Sequence, residues 1–197
     1  MRLFVAFEIG PPLRDAMAAL RGSLGGVRWT EPETYHLTLR FIGEVRERAR
    51  QEEIHHALAA IRAPSCLLVP EGPGLFAHGD GRDTLWIGIA RTDALMHLQR
   101  KIDTALTRAG IAIADRRKFI PHVTIGTLPR QFPGTAPSAA APAVQSPTHS
   151  TALSAWMARW GATPLPPLEA AQFTLYRSVR GAGQPVYVPL ADYDFGQ

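Results

Sequence analysis

The stretch Tyr35-His36-Leu37-Thr38-Leu39-Arg40-Phe41 alternates between apolar and polar residues more strictly than any other part of the chain, and this period predicts a β-strand. Successive side chains of a strand point to opposite faces of its sheet. His36, Thr38 and Arg40 are therefore expected on one face, and the apolar residues of the same stretch on the other. The pattern predicts a sheet with one face in the core and one face that carries an imidazole and a hydroxyl.

A second segment repeats this arrangement. His122-Val123-Thr124-Ile125 again places a histidine and a threonine on one face of a strand and two apolar residues on the other. Chance predicts roughly 0.1 copies of a histidine-x-threonine flanked in this way, so two copies are informative. A third match, His149-Ser150-Thr151, lacks the apolar alternation and is interpreted as a coincidence.

Hydrophobic spacing predicts the elements on either side of the two motif strands. Helices are expected at 11–22, 46–61, 92–109 and 152–160, and further strands at 2–9, 27–29, 66–69, 84–90, 119–126, 172–179 and 184–189. Glycine-rich turns at 79–81 and 181–183 predict late hairpins, and hence antiparallel pairing. The Gly72-Pro73-Gly74 cluster is interpreted as another turn. The order favours an α+β fold with helices packed on the sheets.

Composition sets limits on the class of protein. The chain has 197 residues, 46% of them hydrophobic, and a net charge of +4. It is therefore long enough for one sizeable core, and its mild basicity favours phosphate-rich partners without establishing nucleic-acid binding. Cys66 is the only cysteine and is predicted to be a buried, inert thiol, and no apolar run reaches 18 residues. We expect a soluble cytoplasmic protein with no membrane partner.

Residues 131–149 differ from the rest of the chain. This segment is rich in proline and alanine, and no charged residue occurs between Arg130 and Arg159. Such a composition predicts a surface loop without a catalytic group.

Phosphodiester hydrolysis would explain why two histidines occur on two strands. One neutral imidazole takes a proton from water while a protonated one donates to the departing oxygen, and in-line displacement needs them on opposite sides of phosphorus. Thr38 and Thr124 would donate to the non-bridging oxygens. Arg40 would add positive charge, although an exposed surface arginine explains it equally well. These residues alone assign neither the direction of proton transfer nor the product.

The sequence resembles the two-histidine (2H) phosphoesterase superfamily, and within it the RNA 2′,3′-cyclic phosphodiesterases that are also called 2′-5′ RNA ligases. The resemblance implies one bilobal domain over 1–197, with pseudo-twofold symmetry and a cleft between lobes. It also implies metal-free, cofactor-free hydrolysis of a 2′,3′-cyclic phosphate to a 2′-phosphate, with His36 as proton donor and His122 as proton acceptor. The matching segments are Arg2-Leu3-Phe4-Val5-Ala6-Phe7, Val27-Arg28-Trp29, 36–45, 119–126, 173–178 and the strand around Tyr187.

One departure from the family pattern affects the second motif. Family members often carry an arginine five residues after the second histidine, where this chain has Thr127. Arg130 or the basic run Arg116-Arg117-Lys118 are the candidate replacements.

Partners are expected to be RNA ends or cyclic nucleotides, with no obligate protein partner. The alternatives are a 2′-5′ phosphodiesterase or ligase, a phosphodiesterase of small cyclic nucleotides, and a non-catalytic nucleotide- or RNA-binding module.

Overall fold

The computed structural model describes residues 1–77, 82–111, 118–129, 147–179 and 185–195. The predicted turns at 79–81 and 181–183 lie outside these residues, as do Arg116, Arg117 and Arg130. The helices are α1 (Leu13–Ala18), α2 (Arg48–Ala59), α3 (Asp93–Arg108) and α4 (Pro147–Gly161), with a 3₁₀ helix at Pro32–Thr34. The strands are β1 (Arg2–Glu8), β2 (Arg28–Trp29), β3 (His36–Glu44), β4 (Cys66–Leu68), β5 (Pro70–Phe76), β6 (Arg82–Ile89), β7 (His122–Pro129), β8 (Leu168–Ala170), β9 (Gln172–Val179) and β10 (Val186–Asp194).

The strands form an eight-stranded sheet and a separate pair. The main sheet has the order β10-β9-β1-β3-β7-β6-β5, with β2 added beside β7, and the second sheet pairs β4 with β8. Every strand pairing among the described residues is antiparallel. The predicted α+β class is confirmed. The motif strands β3 and β7 are neighbours at the centre of the sheet.

One face of this sheet is buried beneath the helices. Leu37 and Val123, at the centre, are fully buried in the same hydrophobic cluster as Ile54 of α2 and Ile102 of α3. Burying side chains of this size typically stabilises a fold by about 1.5–3 kcal/mol each, so this face contributes strongly to the stability of the fold. The opposite face of the central strands is left for chemistry.

Two strands escaped the sequence prediction for identifiable reasons. Strand β5 reads Pro-Glu-Gly-Pro-Gly-Leu-Phe, without apolar alternation, and it contains the cluster that was wrongly interpreted as a turn. Its ladder with β6 is irregular between Pro70 and Gly72, where Gly72 has φ +103°. Strand β8 is only three residues long and pairs with β4, a partner about a hundred residues earlier in the chain.

Other boundaries differ modestly from the prediction. Helix α4 begins at Pro147, so the last three residues of the predicted 131–149 loop are helical, and residues 131–146 lie outside the described part of the chain. Helix α3 begins as predicted, because the Thr92 side chain accepts a hydrogen bond from the Leu95 amide. No helix in the described ranges is long and apolar enough to cross a membrane.

Candidate active site

The two motifs meet where β3 pairs with β7. Leu37 lies directly opposite Val123 in an antiparallel register. Because the strands run in opposite directions, this register brings His36 across from Thr124, and Thr38 across from His122. All four side chains belong to the face opposite the buried leucine and valine. Residues 86 positions apart in sequence are thus neighbours on one surface.

Both imidazole rings are held in the same way. His36 Nδ1 lies 2.8 Å from the carbonyl oxygen of Thr34, and His122 Nδ1 lies 2.7 Å from that of Ile120. A carbonyl oxygen only accepts, so Nδ1 of each ring must carry the proton. In the neutral ring Nε2 is then left with its lone pair, and this is the atom available to a ligand.

The surroundings lower the pKa of both histidines. Burial is the main cause for His36, the hydrogen bond to Thr34 opposes it, and the charge of His122 lowers the pKa further. Burial also lowers the pKa of His122, against the bond to Ile120. The electrostatic effect of His122 on His36 agrees with the short separation that the strand register implies.

Aromatic rings surround each imidazole, and they differ between the two histidines. His36 lies 5.2 Å from the ring of Phe4 and 4.8 Å from that of Tyr187, measured between centroids. His122 lies 4.9 Å from Phe76 and 6.0 Å from Trp86. These rings exclude water from one side of each imidazole, which is the physical source of the lowered pKa values.

A β-bulge interrupts the first motif strand. Val5 pairs with Arg40 and Ala6 pairs with Thr38, so Leu39 is an extra residue on β3. A bulge places two successive residues against one partner and thereby reverses the alternation beyond it. Arg40 and Phe41 therefore change faces relative to a regular strand, before a second register shift at Ile42.

The bulge makes the predicted position of Arg40 wrong. Its guanidinium lies on the helix-covered face and forms an ion pair with Asp103 of α3, which also accepts a hydrogen bond from Gln99. Phe41, predicted to point into the core, is instead 50% exposed and packs 6.0 Å from Phe4 on the face of His36. Sequence alternation assigned both residues to the opposite faces.

The second motif contains a bulge at the equivalent residue. Trp86 pairs with Thr124 and Leu85 pairs with Gly126, so Ile125 is the extra residue on β7. Thr127 then returns to the face of His122, opposite Thr84. The position at which relatives often carry arginine therefore borders the site, and here it presents a hydroxyl.

Several residues at the site were not predicted from the sequence. Arg2 and Glu8 of β1 share the face of Phe4, and Glu8 lies directly opposite His36. Trp86 lies across Gly74, where an added Cβ would come within 2.2 Å of the indole. The sequence contained one signal for Glu8, the alternation of side chains along β1. The apolar run that precedes Glu8 concealed this signal, because it did not show which face of the strand is buried.

Four further ionisable residues lie away from this site: Cys66, His55, His56 and His97. Cys66 is buried, as predicted, and burial raises its pKa to about 11. His55 and His56 are exposed on α2, where His55 Nδ1 lies 3.0 Å from the hydroxyl of Tyr193. His97 is exposed on α3. Within the described ranges, no group of three or more histidine, cysteine or acidic side chains is arranged to hold a metal ion.

Two imidazoles and two hydroxyls on one face of an antiparallel sheet define a two-histidine phosphoesterase. The chain belongs to the 2′-5′ RNA ligase superfamily, whose family model matches residues 9–159. The resemblance stated from the sequence is thus confirmed.

Individual relatives agree with this assignment. A Thermotoga maritima protein named RNA 2′,3′-cyclic phosphodiesterase is 31% identical over 131 residues, which cover 64% of this chain and 69% of the relative. An Archaeoglobus fulgidus protein of the same name is 30% identical over 139 residues, covering 69% and 77%. The fold is similar to that of E. coli LigT complexed with 3′-AMP, with a TM-score of 0.71 and 24% identity over 100% of this chain and 98% of that chain.

Proposed function

We propose that this chain hydrolyses RNA 2′,3′-cyclic phosphate ends to 2′-phosphomonoesters, with His36 as general acid and His122 as general base. The register of Leu37 opposite Val123 carries the proposal, because it gathers both histidines and both threonines around one position. The names of the relatives and the family membership support the substrate class. The division of roles follows from resemblance to the family.

The proposed reaction is a single in-line displacement. The oxygen of water forms a bond to phosphorus while the bond from phosphorus to O3′ breaks. His122 Nε2 takes the proton of the attacking water, and His36 gives its Nε2 proton to O3′. Afterwards His36 is neutral and His122 is protonated, and exchange with solvent restores the starting state. The two imidazoles carry out both proton transfers, so no metal or cofactor is assigned a step.

The lowered histidine pKa values suit one role directly and the other through the substrate. A base must be neutral at working pH, and a lowered pKa keeps His122 neutral. An acid must be protonated, which the buried environment of His36 opposes in the free protein. A bound phosphodiester carries a negative charge that favours the imidazolium form of His36. Substrate binding thereby favours the protonated form of His36 that acts as the acid.

The threonines are proposed to hold the phosphoryl oxygens. Each hydroxyl lies beside the histidine of the other motif, so the two donors flank the position of phosphorus. Negative charge grows on the non-bridging oxygens in the transition state, and fixed donors stabilise it there. Arg40 has no place in this scheme, because its charge is directed to Asp103 on the other face.

The test is turnover of an oligoribonucleotide that ends in a 2′,3′-cyclic phosphate, in excess EDTA, with the product identified by phosphorus NMR. We expect a 2′-phosphate and an unchanged rate after chelation. A 2′,3′-cyclic mononucleotide and a 2′-5′-linked dinucleotide, assayed in parallel, separate the proposed activity from its alternatives. A requirement for metal would contradict the scheme. Binding of the oligonucleotide without turnover would instead support the non-catalytic module.

A further inference from the structure

A small pocket opens beside His36. It has a volume of about 250 Å³. This is below the 300–1,000 Å³ that is typical of sites for whole drug-sized ligands and suits a single ring system. The pocket lies among β1, β9, β10 and the 3₁₀ helix, and its polar and aromatic walls include Glu8, Glu33, Gln172, Tyr176, Tyr187 and Asp192.

The charge of this pocket is opposite to what a phosphate needs. Three carboxylates line it, and among the described residues no lysine or arginine does. The position opposite the second histidine is Gly88, where the first histidine has Glu8, so only the first histidine has a carboxylate as its cross-strand neighbour. An anionic phosphate is repelled here, whereas a neutral group with N–H donors is attracted.

The pocket walls are organised before a ligand binds. Asp192 accepts a hydrogen bond of 2.6 Å from Thr174, a residue only 3% exposed, and this fixes the carboxylate. Tyr176 stacks on Phe4 with ring centroids 5.2 Å apart. The charges of Glu8 and Asp192, after burial, raise the pKa of Tyr176, which shows that both carboxylates act on the same aromatic wall.

The proposed function places a nucleoside on this side. His36 protonates O3′, so the ribose and its base lie on the His36 side of phosphorus. A flat ring that leaves the ribose there meets the aromatic walls and then the carboxylates. Guanine offers two adjacent donors, N1–H and the 2-amino group, which match both oxygens of one carboxylate. Adenine and cytosine offer one amino group beside an acceptor, and uracil offers a single N–H between two carbonyls.

We propose that the pocket beside His36 binds the base of the terminal nucleotide and selects guanine, through the carboxylates of Glu8 and Asp192. The inference rests on the proposed function for the position of the ribose. It adds a base preference, with guanine first and uracil last. A guanine in the pocket places its donor edge against the carboxylates and its ring against Tyr187.

The test compares kcat/KM for the four nucleoside 2′,3′-cyclic monophosphates. We expect guanosine to exceed uridine by roughly 10-fold, the scale of one good bidentate contact. The inosine analogue keeps N1–H and lacks the 2-amino group, so we expect an intermediate value. Equal kcat/KM for all four bases, or a preference for adenine or cytosine, would overturn the inference.

Isosteric variants assign the preference to the pocket. Glu8→Gln and Asp192→Asn remove charge without removing volume, and each is expected to lower the guanosine-to-uridine ratio of kcat/KM at least ~3-fold. Glu44→Gln is the matched control, since Glu44 is exposed at the far end of β3, 3.6 Å from Arg46. A wild-type ratio in both pocket variants would assign base selection elsewhere.

A binding experiment separates this inference from the proposed function. Calorimetry with guanosine 2′-phosphate and uridine 2′-phosphate needs no turnover. If the wild type hydrolyses no cyclic phosphate but binds the guanosine compound more tightly in a Glu8-dependent manner, the pocket stands and the activity fails. Hydrolysis with equal binding of both nucleotides would give the reverse result.

Discussion

Strands β3 and β7, which carry His36 and His122, share one local arrangement of backbone and side chains, here called the frame. Both histidines donate from Nδ1 to the carbonyl oxygen two residues earlier, at 2.8 and 2.7 Å. Both strands carry a threonine two residues after the histidine and a bulge one residue later, at Leu39 and Ile125. The surroundings have nevertheless diverged, because a carboxylate and a tyrosine flank one histidine whereas Gly88 and Trp86 flank the other.

The shared frame serves the reaction at phosphorus, whereas the different surroundings of the two histidines serve the binding of the substrate. In-line displacement at phosphorus is nearly symmetric, with one proton transfer on each side, so equivalent frames serve both. A nucleotide is asymmetric, with a base on one side and only water on the other. The acidic pocket beside His36 therefore serves recognition of the base, whereas the rings of Phe76 and Trp86 beside His122 serve desolvation. Four predictions test the comparison, from the largest effect to the smallest.

Removing either imidazole is expected to have the largest effect. His36→Ala and His122→Ala should each lower kcat by at least ~10²-fold, and the double variant should cost much less than the product of the two. Single-turnover kinetics on a cyclic-ended oligonucleotide measures this. His97→Ala, on the exposed face of α3, is the control and should keep the wild-type rate. Full activity in either site variant would remove that histidine from the mechanism.

The threonine hydroxyls come next. Thr38→Val and Thr124→Val keep the shape and remove the donor, and each should lower kcat by roughly 10- to 10²-fold with little change in KM. Similar losses are expected because the two hydroxyls occupy equivalent positions in the frame. Steady-state kinetics on a cyclic mononucleotide checks this prediction. A rise in KM alone would show that the hydroxyls bind the ground state and the transition state equally.

Arg40 is expected to act on stability. Its side chain and that of Asp103 are 12% and 25% exposed, so Arg40→Met leaves a largely buried carboxylate without its cation. We expect a loss of about 2 kcal/mol in the free energy of unfolding, measured in urea, with kcat/KM within ~3-fold of wild type. Arg46→Met, at an exposed ion pair, should be nearly neutral. A large rise in KM with no loss of stability would show that Arg40 takes part in substrate binding.

The smallest effect concerns the wall beside His122. Gly74→Ala displaces the Trp86 indole, so water reaches the imidazole and its lowered pKa rises toward the ordinary value. The base must lose its proton to work, so the acidic limb of the kcat/KM profile should move to higher pH, costing less than ~10-fold at acid pH. Gly25→Ala, where an added Cβ meets nothing within 4 Å, is the control. An unshifted limb would show that burial by Trp86 does not set this pKa.

The sequence was sufficient to predict the frame of the site, because alternation in the two motif strands is a local property. It was insufficient to predict the bulges, since an extra residue is defined by the partner strand, here by the pairing of Val5 with Arg40. The face of Arg40 was therefore wrong although the strand was right. The acidic pocket could not be predicted from local sequence patterns either, because Glu8 and Asp192 come from β1 and β10, which lie far apart in the sequence.

The strand order has a consequence for how the molecule is made. β5, β6 and β7 follow one another along the chain and pair with one another, whereas β1 pairs with β9 as well as with β3, and β10 is the last strand of the described residues. Contacts between nearby segments form faster than contacts between distant ones. The half around His122 is thus expected to form before the half around His36 is complete, because Tyr187 and Asp192 belong to the later strand β10. Pulse-labelled hydrogen exchange during refolding should find the β6 amides protected before those of β9, so that the pocket for the base forms after the strands around His122 have paired.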